Sequence, residues 1–183
     1  MTLSIQPSVK IRPDFTYQPD IDISKAFRST VMTTNERGDA ETGISYIEPG
    51  ADGPPIHLHP NQDETFTVLQ GTLEIYRQDR WHQLSAGEEI FIPKKTPHTF
   101  RSRDMEGCFY EYVVTPKGGF TDMLRTFERL MNADKIRSNS DIRSLIYLAM
   151  IFKKHESEVV SVNPPPFVMT TLAGLGKLMG FKL

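Results

Sequence analysis

The sequence predicts a mainly β domain followed by an α-helical extension. Up to about residue 115, apolar and β-branched runs alternate with clusters of turn-forming residues, at 29–34, 42–48, 64–70, 72–77, 89–93, 98–102 and 108–115. Many short strands at this spacing are typical of a β-sandwich or barrel. Beyond residue 115 the apolar residues recur with helical spacing instead. The charge changes at the same place, because residues 1–115 carry a net −6 and residues 116–183 a net +4.

These observations divide the chain into three parts. Residues 1–28 form an N-terminal arm, in which "IRPDFTY" can add one strand. Residues 29–115 form the β-barrel, and residues 116–183 form a C-terminal helical extension. The sequence contains no internal repeat, so we expect one β unit.

The extension contains two amphipathic helical segments and a third, weaker one that follows three consecutive prolines. We expect Ser140 to cap the second segment. The predicted buried faces are Phe120, Met123, Leu124, Phe127, Leu130 and Met131; then Ile142, Leu145, Ile146, Ala149 and Phe152; then Val168, Leu172, Leu175 and Met179. Three roles fit so much apolar surface: packing on the barrel within a homodimer, a lid over a pocket, or contact with a membrane surface through Lys177 and Lys182.

Composition narrows the functional class. The chain has 183 residues, a net charge of −2 and a pI near 6.2, so no basic surface argues for nucleic-acid binding. The single cysteine, Cys108, cannot form an internal disulfide, and its apolar surroundings indicate a buried small hydrophobic residue. The sequence shows neither the pattern of a signal peptide nor a run of about 18 apolar residues, and we expect a cytoplasmic protein without a transmembrane segment.

The segment "PPIHLHPNQDETF" carries the first candidate for chemistry. Side chains alternate across a strand, so His57 and His59 project from the same face, about 6.6 Å apart. A turn follows, and Glu64 opens the next strand; antiparallel pairing across the turn would bring its carboxylate beside the histidines. His98 lies 34 residues further on, and about three intervening strands could return it to the first. Polar residues of an ordinary water-facing strand are the competing explanation for His57 and His59.

Three imidazoles and one carboxylate suit a divalent transition metal. Iron, manganese and zinc are favoured, and nickel, cobalt and copper also accept such ligands. Four protein ligands would leave one or two coordination positions open, as a catalytic site requires. The all-oxygen sites preferred by calcium and magnesium fit this set poorly, because three of its four ligands are nitrogens.

The spacing of these residues resembles the two motifs of the cupin superfamily. In the first, His57-Leu58-His59 is followed by four residues, Glu64, six residues and Gly71; in the second, Gly87 is followed by five residues, Pro93 and His98. The chain departs at three positions: Gly50 precedes His57 by one residue too many, and Lys95 and Ser102 replace the motif's glycine and asparagine. The resemblance implies a cupin-type double-stranded β-helix (jelly-roll) barrel with C-terminal α-helices. It also implies His57, His59, Glu64 and His98 as ligands of one metal ion.

Strand alternation predicts what surrounds such a site. Phe66 and Val68 share the face of Glu64, and Phe100 and Ser102 share the face of His98. We expect these residues, together with Phe91 or its neighbour Ile92, to form a pocket for a hydrophobic or aromatic small molecule. Ordinary core packing is the competing explanation for each phenylalanine.

The next strand holds the candidates for a general acid or base. They are Tyr110, Glu111 and Tyr112, and the sequence leaves their facing undetermined.

Two functional hypotheses follow. The first is a metal-dependent enzyme acting on a small hydrophobic or aromatic carbonyl, enol or phenolic substrate. For this enzyme dioxygenase-type chemistry is slightly favoured over decarboxylation, cyclisation or isomerisation. The second is a non-catalytic binding cupin whose helical tail engages a partner. The superfamily contains both kinds of protein, so the resemblance does not choose between them.

Overall fold

Two antiparallel sheets face each other and enclose the core of the protein. The structure, a computed structural model, describes residues 19–138 and 140–183. Its strands are β1 (Ile21–Asp22), β2 (Ser29–Glu36), β3 (Glu41–Ile47), β4 (His57–Leu58), β5 (Asp63–Gln70), β6 (Thr72–Arg77), β7 (Arg80–Ser85), β8 (Glu89–Ile92), β9 (His98–Arg101), β10 (Cys108–Thr115) and β11 (Val160–Ser161). One sheet has the order β1-β2-β3-β10-β5-β8 and the other β11-β4-β9-β6-β7. The predicted jelly-roll barrel with C-terminal helices is confirmed.

The helices are α1 (Ser24–Phe27), α2 (Phe120–Asn132), α3 (Ile142–Lys154) and α4 (Pro166–Leu178). All six residues of the predicted α2 face are buried, and they continue the barrel core beneath the helices. Rings of three elements meet there: Phe127 lies 5.4 Å from Phe27 and 6.3 Å from Phe152, measured between centroids. In the part of the chain described here, no helix is both long and apolar enough to cross a membrane.

The seven predicted strands all form, and the strand expected at His57 forms as the short β4; the sequence did not indicate β1, β7 or β11. Strand β7 lies at a sheet edge and buries only Leu84, so it lacks the alternation that reveals a half-buried strand. Strands β1 and β11 have two residues each, too few for any periodicity. The predicted strand in "IRPDFTY" lies outside the described residues.

The predicted pairing of the His57 strand with the Glu64 strand is wrong. Strands β4 and β5 belong to opposite sheets, because the intervening segment carries the chain across the barrel. Strand β4 pairs instead with β9, with His57 opposite His98, and with β11. Glu64 therefore approaches the histidines across the barrel interior and not along a ladder.

Two details of the helices also differ from the prediction. Asp141, not Ser140, caps α3 by accepting a hydrogen bond from the Ser144 amide, and Ile142 is exposed. The face of α4 that packs on α3 is centred on Ala173 and Gly176. A side chain at Gly176 would collide with Ile146 and Met150, so this contact requires small residues and turns Leu175 and Met179 towards solvent.

Lys95 occupies a backbone conformation that favours glycine. Its φ is +64°, in the left-handed region, at the position where the cupin motif has glycine. The turn is held by the Lys95 amide, which donates a hydrogen bond to the His59 carbonyl at 2.7 Å. The loss of the motif glycine has therefore left the turn conformation in place.

Replacing Lys95 with glycine is expected to increase stability. A left-handed conformation costs a non-glycine residue about 1–2 kcal/mol, and the greater freedom of glycine in the unfolded chain offsets about 0.4–1 kcal/mol of that gain. Lys94→Gly is the matched control, because Lys94 does not have a positive φ and its substitution should destabilise. Denaturant unfolding measures both free energies, and a Lys95→Gly variant no more stable than Lys94→Gly would contradict this account.

Candidate metal centre

Three histidines converge at the junction of β4 and β9. The pairing of His57 with His98 brings their ring centroids to 4.5 Å, and His59 lies 5.3 Å from each of them. All three side chains are buried, with at most 7% of their surface exposed. A cluster of imidazoles with so little access to water requires fixed polar partners.

Each imidazole is held by a backbone carbonyl through Nδ1. The oxygen lies 2.8 Å away for His57 (Pro55), 2.5 Å for His59 (Glu158) and 2.9 Å for His98 (Thr96). A carbonyl oxygen only accepts hydrogen bonds, so each Nδ1 carries the proton and donates it. In a neutral imidazole this leaves a lone pair on Nε2. A metal-binding histidine usually has this arrangement, in which one ring nitrogen donates to a carbonyl and the other faces the metal.

Glu64 reaches the same point from the opposite sheet. Its Oε2 lies 2.9 Å from His98 Nε2 and 3.3 Å from His59 Nε2. Each of His57, His59, Glu64 and His98 offers one ligand atom, and these four atoms all lie within 4.8 Å of one another. The four residues thus form one buried group that could hold a metal ion.

The electrostatics of the group reflect its burial. Burial opposes the charge of Glu64, but His59 and His98 beside it outweigh this effect and hold the pKa of the carboxyl below its usual range. Burial likewise opposes protonation of His59, whereas the Glu64 carboxylate raises the pKa of this imidazole overall. For His57, burial and the neighbouring His98 lower the pKa well below 6.5. The cluster therefore holds an ionised carboxylate that needs a positive partner.

The donor set fits a divalent transition metal. With Nδ1 protonated on every ring, the neutral cluster points three nitrogen lone pairs and a carboxylate at one another, which is unfavourable without a cation or extra protons between them. Among the described residues His59 Nε2 finds no hydrogen-bond partner, although it is buried. Three nitrogens and one oxygen are ligands that iron, manganese and zinc accept.

The C-terminal extension contributes directly to this centre, which the sequence did not indicate. The Glu158 carbonyl that holds His59 comes from the segment between α3 and β11, and β11 pairs with the strand that carries His57. No local pattern marks Glu158, because a backbone carbonyl is present at every position. Only the fold brings residue 158 to residue 59.

An apolar cavity extends from the cluster to the space beneath α2 and α3. The rings of Phe66, Phe100 and Tyr110 form one wall, with centroids 5.4–5.7 Å apart. The remaining lining residues are Ile23, Phe27, Ser29, Val31, Ser45, Pro54, His57, His59, Glu64, Tyr112, Phe120, Met123, Leu124, Phe127, Phe152 and Val159. Half of these sixteen residues come from the N-terminal arm and the extension, which the motif pattern does not cover.

The structure separates the predicted pocket residues into three groups. Phe66 and Phe100 line the cavity, whereas Val68 and Ser102 are buried outside its lining. The prediction for Phe91 is wrong, because its side chain is 52% exposed. Its neighbour Ile92 stands opposite Glu64 and takes the inward position.

Strand alternation places two of the three candidate acid or base residues on the cavity side of their strand and the third on the other side. Tyr110 and Tyr112 line the cavity, and burial raises the pKa of both hydroxyls, which are therefore neutral at physiological pH. Glu111 points away from the cavity towards Arg37, 3.5 Å distant, so its assignment as a pocket acid or base is wrong.

Comparison with known proteins identifies the central part of the chain. A family described as "Cupin domain" matches residues 43–114. This match spans less than half of the chain and includes all four candidate ligands. The match covers neither the N-terminal segment nor the helical extension, although both line the cavity.

One protein matches a short stretch of the sequence, and solved structures align over about half of the chain at low sequence identity. An Aquifex aeolicus protein described as uncharacterized is 41% identical over 46 residues, which span 25% of this chain and 38% of that protein. A sugar phosphate isomerase of the cupin superfamily from Silicibacter pomeroyi aligns with a TM-score of 0.47 and 20% identity, over 51% of this chain and 63% of that one. KdgF from Halomonas sp. aligns with a TM-score of 0.46 and 21% identity, over 53% and 84%.

Substituting a single candidate ligand should abolish metal binding. We expect purified wild-type protein to bind about one equivalent of transition metal and His57→Ala or His98→Ala to bind almost none. Substituting a residue that merely supports a ligand lowers metal affinity by roughly 10–100-fold. Losing one of the four ligands themselves should lower it further. His82→Ala is the control, since His82 lies on β7 outside the four-residue group and its ring accepts a hydrogen bond from Arg80. Elemental analysis would contradict the assignment if both ligand variants kept a full equivalent.

The link between Glu158 and His59 can be tested with two adjacent glycines. A side chain at Gly118 would collide with the Glu158 carboxylate and the Gln62 amide, whereas one at Gly119 would meet Glu158 only at an ordinary 3.7–3.9 Å. Glu158 is buried, so Gly118→Ala should shift its carboxylate, and we expect part of this shift to reach the carbonyl that orients His59.

We expect about a tenfold weaker metal affinity for Gly118→Ala and an unchanged affinity for Gly119→Ala, measured by competition with a chelator. Neither glycine has a positive φ, so alanine is sterically acceptable to both backbones. Equal affinities in the two variants would show that the Glu158 contact does not position His59.

Proposed function

We propose that this protein is a metal-dependent cupin enzyme acting on a small hydrophobic or aromatic carbonyl, enol or phenolic substrate, with dioxygenase-type chemistry slightly favoured. The observation that carries the proposal is that three members of the buried His57–His59–Glu64–His98 group, His57, His59 and Glu64, line an apolar, aromatic-walled cavity. The polar end of a substrate in that cavity would lie against the ligand atoms. Buried clusters of ligating side chains in concave apolar sites are the usual form of a catalytic pocket.

A divalent transition metal bound there would polarise a substrate oxygen and, if redox-active, could react with O₂. The protein's own contribution is to orient the ligand side chains and to exclude water from the site. The carbonyls of Pro55, Glu158 and Thr96 keep each imidazole in one tautomer. The rings of Phe120 and Phe66 pack 5.6 Å from His59 and 6.3 Å from His98, measured between centroids, and would keep water away from the reacting atoms.

The lining favours an uncharged, apolar substrate body. None of the described residues that line the cavity is a lysine or arginine, so no cationic side chain would pair with a phosphate group. The aromatic wall of Phe66, Phe100 and Tyr110 instead provides faces and edges for a planar or hydrophobic molecule.

Tyr112 is the strongest candidate for a second polar contact with the substrate. Its hydroxyl is buried and has no hydrogen-bond partner among the described residues, and its ring packs edge-on against Phe120. A buried hydroxyl left unpaired costs about 1–3 kcal/mol, which a substrate oxygen could recover by accepting its hydrogen bond. The Tyr110 hydroxyl, by contrast, is not among the buried polar atoms of the described residues that lack a partner.

The reaction class can be tested with metal-loaded protein and a panel of hydrophobic carbonyl, enol and phenolic compounds. We expect consumption of O₂ that requires the protein, its metal and the compound together, with His98→Ala inactive. Equal turnover without O₂ would replace the dioxygenase with a non-oxidative decarboxylase, cyclase or isomerase. Saturable binding without turnover under either condition would favour the non-catalytic binding cupin.

The Tyr112→Phe variant tests whether the Tyr112 hydroxyl contacts the substrate. This variant removes an unpaired hydroxyl, so its metal content and stability should equal or exceed those of the wild type. Its affinity for the compound that the wild type turns over should fall by about tenfold, the effect of one lost hydrogen bond in a dry site. Unchanged affinity would remove Tyr112 from the substrate contacts.

The predicted homodimer and cytoplasmic location stay predictions.

A further inference from the structure

The outer face of α4 carries apolar and basic residues that the fold does not use. The helix packs on α3 through Ala173 and Gly176, on its inner side. Phe167 and Leu178 lie on the opposite side and are 72% and 88% exposed, and Leu175 and Met179 flank them in solvent. Lys177 and Lys182 are exposed beside these residues. We refer to Phe167, Leu175, Lys177, Leu178, Met179 and Lys182 as the α4 patch.

Another helix of the same extension shows what an ordinary solvent face looks like here. The exposed residues of α2 are Asp122, Arg125, Arg129 and Asn132, all of them polar or charged. Both helices bury one face against the protein, but only α4 presents large apolar side chains on the other. Contiguous exposed apolar surface bordered by charged residues is typical of an interaction site.

The charge of the segment indicates the kind of partner. From residue 159 to residue 183 the sequence contains two lysines and no aspartate or glutamate. Arg143 of α3 adds a third positive charge, since its guanidinium lies 6.0 Å from the ring centre of Phe181 at the end of α4. The acid nearest to it in sequence, Asp141, already caps α3 and bonds with the amide and hydroxyl of Ser144.

This charge pattern disfavours self-association through the α4 patch. A symmetric dimer brings the same surface of both copies together, so the lysines of one copy would face those of the other without an acidic partner in the segment. An anionic lipid surface has the complementary charge, and its interfacial region accepts leucine, methionine and phenylalanine side chains.

We propose that the α4 patch binds the surface of an anionic lipid bilayer, with the helix lying in the interface. Phe167, Leu178 and Met179 enter the acyl boundary, and Lys177 and Lys182 pair with anionic headgroups. Because α3 holds the opposite face of α4, the helix binds as a preformed rigid surface and loses little conformational freedom on docking. This inference does not depend on the proposed reaction.

Vesicle flotation of the full 183-residue chain tests the proposal. We compare phosphatidylcholine vesicles with vesicles that also contain phosphatidylglycerol. The wild-type chain should float with the anionic vesicles, and the fraction bound should fall as salt is raised. Lys177→Ala and Lys182→Ala should each lower partitioning into anionic vesicles by about fivefold. The double variant Leu178→Glu/Met179→Glu should lower it by at least about tenfold.

Met105→Glu is the matched control, because Met105 is 92% exposed in the loop between β9 and β10 and outside the α4 patch. Its partitioning should equal that of the wild type. All these positions are exposed, and the fluorescence of Trp81, which packs on Arg101 and Tyr76 of the barrel, reports whether each variant is folded.

Three results would overturn the proposal. The first is a wild-type chain that stays unbound with both kinds of vesicle. The second is equal loss of binding in Met105→Glu and in the α4 double variant. The third is light scattering that shows a wild-type dimer that Leu178→Glu/Met179→Glu dissociates, because the patch would then be a contact between two copies.

Discussion

The approach of three histidines to one buried carboxylate is the constraint on which the site depends. Glu64 is ionised in the interior, where an uncompensated charge costs several kcal/mol. Its compensation has to come from the opposite sheet, because His57 and His98 lie on β4 and β9 whereas Glu64 lies on β5. The two sheets are therefore joined by polar as well as apolar contacts, and the polar contact is satisfied only with a positive charge at its centre. A site of this kind links metal binding to the packing of the barrel.

The histidine spacing predicted the site but not the way in which its members meet. Alternation along a strand correctly places His57 and His59 on one face, and the motif spacing identifies His98 as a neighbour. The expected hairpin between His59 and Glu64 fails, because local sequence does not reveal that the chain changes sheets between them. Phe91 illustrates a second limit: alternation defines two faces of a strand but not which one is inside. Only its pairing, with Ile92 opposite Glu64, decides that.

The extension shows why a family pattern alone underestimates this site. Residues 43–114 match the cupin domain, yet the carbonyl that orients His59 comes from Glu158 and much of the cavity wall from α2 and α3. A backbone carbonyl leaves no trace in a sequence, and the apolar residues of α2 have the same pattern whether they cover a pocket or a solid core. The ligand atoms thus lie in the matched region, while the shape of the cavity depends in part on residues outside it.

Helix α4 differs from the other two long helices of the extension in the way its two faces are used. Helices α2 and α3 bury long side chains such as Phe127 and Phe152, so their burial accounts for their apolar residues. The inner contact of α4 is centred on Ala173 and Gly176, which allow close approach to α3, and only the partly buried Met169 and Leu172 add longer side chains to it. The larger apolar residues of α4, Phe167 and Leu178, lie on the outer side. Folding alone does not favour that distribution, since exposing them forgoes about 1.5–3 kcal/mol each, and a partner that buries them supplies the missing free energy.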